Sequence, residues 1–142
     1  MTIAAKPYGY TGNELAAYLL EQDIVCEFAD PDFLVLMLTP QIGGAGLSML
    51  EDALLSLPRR GPIPEKPPVF HACEAVLPIR EAMLSPSETL PVSACAGRVL
   101  TAASVGCPPA VPIVVCGERI DEAAVDCFSY YGIKRCSVAA DR

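Results

Sequence analysis

Several common kinds of chemistry lack their residues in this chain. There is one histidine, His71, and the lysines are only Lys6, Lys66 and Lys134. A single imidazole leaves no basis for a Ser–His–Asp or Cys–His arrangement, and no metal site is expected. The seven cysteines are an odd number, and no two lie within four residues of each other. That spacing excludes the Cys-x-x-Cys signature of zinc and redox sites. No apolar run reaches the roughly 20 residues of a membrane helix. Met1–Tyr10 lacks the charged start and apolar stretch of a secretory signal. These absences predict a soluble, cytoplasmic protein without a membrane partner.

Basic clusters are also scarce. Net charge is −7, and an acidic chain is a poor partner for nucleic acid. The adjacent basic pairs Arg59-Arg60 and Lys134-Arg135 read as solvated ends of elements rather than phosphate sites. What the chain has instead is apolar content, 52% of 142 residues, enough for a packed core. Most cysteines have apolar neighbours and read as small buried hydrophobes in a reducing compartment.

The pattern predicts an α+β (α/β) chain, with two small sheet-and-helix subdomains joined by a Pro-rich linker. Thr2–Lys6 reads as a strand. Thr11 and Glu14 form a capping box ahead of a helix over Gly12–Gln22, which Asp23 ends. Strands are expected at Ile24–Ala29 and Phe33–Thr39, the second buried on both faces. Between them, Asp30 and Asp32 cap and solubilise a turn around Pro31. Gly43-Gly44-Ala45-Gly46 lacks the Gly-Lys-Ser/Thr ending of a phosphate loop and is expected to be a plain loop within Pro40–Gly46. A helix follows over Leu47–Leu57. Residues 1–57 thus form one unit. Residues 58–68, with five of the fourteen prolines, form the linker, and residues 69–142 the second unit.

In that second unit Pro78–Leu84 reads as a short helix, Ser85–Glu88 as a turn and Thr89–Val92 as extended. Asp121–Tyr131 is expected to be a helix capped by Gly132, followed by a strand over Ile133–Ala139. Between these lie two strand-like runs, Val99–Val105 and Val111–Cys116. They are joined by the stiff corner Cys107-Pro108-Pro109-Ala110-Val111-Pro112, in which three prolines fix φ and remove donors. Gly117 lets the chain turn. Glu118 then points into a cleft or starts a new element.

The run Gly97-Arg98-Val99, Pro108-Pro109-Ala110-Val111-Pro112 and Gly117-Glu118 resembles the C-terminal domain of the Orn/Lys/Arg decarboxylases, pyridoxal-phosphate enzymes of aminotransferase-like fold. That family shows Gly-Arg, an aliphatic strand, Tyr-Pro-Pro-Gly-Ile/Val-Pro, another strand and Pro-Gly-Glu. Pro78-Ile79-Arg80-Glu81-Ala82 is similar to its Pro-Arg-Glu-Ala helix start, and Gly9-Tyr10-Thr11-Gly12 to the opening of its small domain. Cys107 stands where the family has an aromatic residue, and Ala110 where it has glycine.

The resemblance implies a C-terminal portion of such an enzyme, with a small domain at residues 1–57 and a C-terminal domain at 69–142. Cys107, Pro108, Pro109, Ala110, Pro112 and Glu118 would then border the substrate entrance, with Gly97, Arg98 and Gly117 as family-motif positions. The family's Schiff-base lysine lies in a Ser-x-His-Lys motif that this sequence lacks. The chain is therefore expected to hold no catalytic or cofactor-binding residue. Pyridoxal phosphate and an upstream large domain would belong to the full-length enzyme, a homodimer or higher homo-oligomer. The alternative is a free-standing, non-catalytic assembly or regulatory module of the same fold.

Overall fold

A computed structural model describes residues 1–69, 71–107 and 111–140. They form two compact units, Met1–Lys66 and Pro67–Arg142.

In the first unit, β1 (Thr2–Ala4), β2 (Phe28–Ala29) and β3 (Phe33–Val35) make an antiparallel sheet in the order β1-β3-β2. Helix α1 (Gly12–Leu20) packs on it through Leu15 and Leu19. Its capping box is complete: the Thr11 hydroxyl accepts from the Glu14 amide at 3.1 Å, and the Glu14 carboxylate accepts from the Thr11 amide at 2.8 Å. These bonds hold the Glu14 carboxyl below its ordinary pKa. Helix α2 (Gly43–Leu55) adds Leu50 and Ala53 to the same core.

Four expectations for this unit need correction. The glycine-rich stretch is no loop: Pro40–Ile42 is a 3-10 turn and α2 starts at Gly43. Each glycine costs a helix only about 1 kcal/mol relative to alanine, while each added residue brings a backbone bond. Phe33–Thr39 is not buried on both faces. Leu34 and Leu36 are buried, whereas Phe33 and Met37 are exposed, the alternation of an antiparallel sheet covered on one side. The strand expected over Ile24–Ala29 shrinks to Phe28–Ala29: Asp23 takes a left-handed φ of 60°, the Ile24 amide still donates back to the Leu19 carbonyl of α1, and the chain reaches β3 only where the Glu27 amide donates to the Val35 carbonyl. Asp30 caps its turn, accepting from the Asp32 and Phe33 amides at 2.7 and 2.6 Å. Both aspartates are nevertheless buried, so they do not solubilise it. Asp32 instead pairs with buried Lys6 at 2.9 Å.

Residues 58–65 contain no regular element but are bonded to this unit. Tyr10 donates to the Pro58 carbonyl, and Lys6 to the Glu65 carbonyl.

The second unit contains β4 (Glu74–Ala75), α3 (Ile79–Leu84), β5 (Ser87–Pro91), β6 (Ser104–Cys107), β7 (Val111–Val115), β8 (Glu118–Arg119), α4 (Glu122–Tyr130) and β9 (Arg135–Ala139). The ladders are β4-β8, β5-β9 and β6-β7. Val99 bridges to Arg119 and Leu100 to Val138, so this stretch joins two ladders. Val99–Val105 is accordingly not one strand: the chain changes partners before β6 begins at Ser104. Ser87 and Glu88 belong to β5 rather than to a turn, since they pair with Ala139 and Val138.

Helix α4 buries Ala124, Cys127 and Phe128 against Leu100, Val114 and Val138. Asp121 caps it by accepting from the Ala124 amide at 2.7 Å. At its other end Gly132, at φ 76°, and Ile133 donate to the carbonyls of Ser129 and Phe128, the paired closure of a Schellman motif. Cys73, Cys95, Cys116, Cys127 and Cys136 are buried. Burial pushes the Cys136 thiol up to about 11.

Candidate functional site

In sequence, the corner picked out by its prolines begins at the last residue of β6 and ends at the second residue of β7. Cys107 pairs with Val111 across it, while Pro108, Pro109 and Ala110 lie outside the described residues. The register shifts between Val105 and Gly106, so that Val105 faces Val114 but Gly106 faces Pro112. Ile113 is the extra residue. A bulge is where a strand accommodates a proline that cannot donate to the ladder. It also explains why successive side chains, Ile113 and Val114, are both buried.

At the far end of β7 the chain reverses at Gly117. There φ is 91°, and an added Cβ would lie 2.2 Å from the Leu77 carbonyl oxygen. The Gly117 carbonyl accepts from the Val76 and Leu77 amides. Glu118 follows as the first residue of β8. Its carboxylate accepts from the Val115 amide at 2.8 Å, tying the reversal shut. Gly97 has a φ of 80° and donates to the Ile120 carbonyl at 2.8 Å. Arg98 is largely covered and pairs with Glu88 at 2.6 Å, while also donating to the Ala139 carbonyl.

The predicted positions therefore fall into two groups. Gly97, Arg98, Gly117 and Glu118 meet around the strand junction and brace it. Cys107 and Pro112 lie where β6 pairs with the other end of β7. His71 is exposed and lies 3.1 Å from Asp121. Among the described residues, no group of three or more His, Cys, Asp or Glu is placed to hold a metal ion. No described helix is long and apolar enough to cross a membrane.

The lysines do not fit a pyridoxal phosphate site. Lys6 is buried and held by Asp32 and the Glu65 carbonyl, whereas Lys66 and Lys134 are exposed. A cleft of about 730 Å³ does exist, in the first unit. Its walls include Tyr8, Tyr10 and the Arg59-Arg60 pair. Both arginines are exposed beyond the end of α2, as their charge pattern predicts, while a cleft built from residues fifty positions apart leaves no local pattern.

A sequence profile described as "Orn/Lys/Arg decarboxylase, C-terminal domain" matches residues 71–136. The match lies within the second unit. It runs from His71 to Cys136 and so includes the stretch from β6 to β7 and both Gly-containing motifs. Comparison with curated proteins gives no match. Among solved structures, the constitutive lysine decarboxylase of E. coli is similar over 92% of this chain, with a TM-score of 0.67 and 17% identity. The chain spans 28% of that enzyme's length. At this identity the likeness is one of fold, and it extends over residues of both units.

Proposed function

We propose that this chain is the C-terminal portion of a pyridoxal-phosphate-dependent decarboxylase acting on ornithine, lysine or arginine. In this reading residues 1–57 are the aminotransferase-like small domain, 58–68 the connection and 69–142 the C-terminal domain. The observation that carries it is the combination of matches. The family profile falls within the second unit, and the fold likeness to a lysine decarboxylase continues through the first.

The chain's role is to shape the substrate entrance and the dimer. The candidate entrance residues Cys107, Pro108, Pro109, Ala110 and Pro112 fall in sequence at the junction of β6 and β7. The base of this strand pair is braced by Gly117, Glu118, Gly97 and Arg98, which make a rigid root. Such a root suits a wall whose placement governs how a substrate is oriented. Pyridoxal phosphate supplies electron withdrawal from the substrate carbon when bound, and its lysine and phosphate cradle lie in an upstream large domain of the cytoplasmic, oligomeric enzyme.

The test is an assay of the purified chain with pyridoxal phosphate and each of the three amino acids. No CO₂ release and no cofactor-dependent visible absorbance are expected. Either signal would place the chemistry within this chain and overturn the assignment.

A further inference from the structure

The cleft of the first unit has a composition that the entrance-shaping role does not use. Its volume of about 730 Å³ falls within the range of small-molecule sites. Ile3, Leu15, Leu54 and Leu57 contribute apolar wall. Among the described residues no acidic residue lines it, and the charged side chains that do are Arg59 and Arg60. In a chain of net charge −7, that is a local reversal of sign.

The two arginines differ in what they are free to do. Arg60 lies over the Tyr10 ring, 4.0 Å from its centroid, and pairs with Glu14 at 3.2 Å. Tyr10 in turn donates to the Pro58 carbonyl at 2.7 Å. Gly9 lets the backbones close up, since a Cβ there would meet Arg60 Cβ at 2.4 Å and the Gly61 carbonyl oxygen at 2.6 Å. These contacts clamp residues 58–61 against the turn at 8–10. Arg59 sits within the clamped stretch, exposed and in no ion pair among the described residues. Arg59 thus brings an exposed cationic side chain, on a clamped stretch of backbone, to the lining of an apolar cleft.

We propose that this cleft binds a single-chain carboxylate, with the head group on Arg59 and the alkyl tail along the aliphatic wall. The chemistry selects that class. Apolar walls reward buried methylenes, and a guanidinium is matched to a carboxylate fork. A ligand with several charges would leave most of them unpaired against hydrocarbon, because Arg60 is already engaged by Glu14.

Calorimetric titration of the full chain with submicellar decanoate is the test. Saturable one-to-one binding is expected, with octanoate about tenfold weaker or more, as two lost methylenes imply. Decylammonium, with the same tail and opposite charge, should show no saturable binding. Arg59→Gln should weaken decanoate about tenfold, and its exposed position leaves the fold intact, which a thermal melt checks. The proposal is overturned by no decanoate binding, by equal binding of decylammonium, or by unchanged affinity in Arg59→Gln.

Discussion

Gly117 and Gly132 share a left-handed φ, 91° and 76°, but not their surroundings. A Cβ at Gly117 would lie 2.2 Å from a backbone oxygen, whereas nothing lies within 4 Å of one at Gly132. Gly132→Ala should therefore cost only the left-handed strain, about 1–2 kcal/mol. Gly117→Ala adds displacement of the Leu77 backbone and should cost clearly more, about 3 kcal/mol. Urea midpoints of the two variants make the comparison, and equal losses would contradict the close packing at Gly117. The same pair marks what one sequence makes legible. Gly132 was readable as a helix end because its signal is local. Gly117 was readable as a turn, but its tight approach to Leu77 depends on residues forty positions away. Glu118 shows the same limit: no spacing rule reveals that its carboxylate closes onto the Val115 amide rather than facing a cleft.

Helix α1 is the element whose start was clearest, because Thr11 and Glu14 satisfy each other's amides within one turn. Thr11→Ala should cost about 1 kcal/mol. The Glu14 carboxyl also titrates below its ordinary value because its charged form accepts the Thr11 amide and hydroxyl. A lowered folded pKa means that the unfolded chain binds more protons in the titration range, so the contribution is full above the ordinary value of 4.5 and disappears as pH falls through the folded value. The stability difference between wild type and Glu14→Gln should accordingly be constant at neutral pH and shrink on acidification. A difference unchanged down to pH values below the folded pKa would contradict the capping box. The start of helix α2 is hidden from the sequence for the opposite reason. Its glycines weaken the local signal, and the helix is held by Leu50 and Ala53 packing into the core, which only the fold makes visible. The β6–β7 bulge was hidden too, since Pro112 announces a missing donor but not which residue is extra.

At the scale of the whole molecule, the family motifs mark the second unit and the fold likeness covers both. Ile79, Met83 and Leu84 of α3 are exposed, at 56%, 56% and 74%. Apolar residues grouped on one short helix suit contact with another polypeptide. The proposed origin in a larger dimer thus predicts self-association of the isolated chain. Sedimentation at rising concentration should show it, and a monomer throughout the range would count against the dimer role. The most direct test concerns the native polypeptide. An antibody against residues 43–57 should isolate it from its source for mass spectrometry. The account predicts a polypeptide several times heavier than this chain, with a Ser-x-His-Lys peptide whose lysine carries pyridoxal phosphate. A native polypeptide of this chain's own mass, without that peptide, would contradict the assignment and leave a free-standing module.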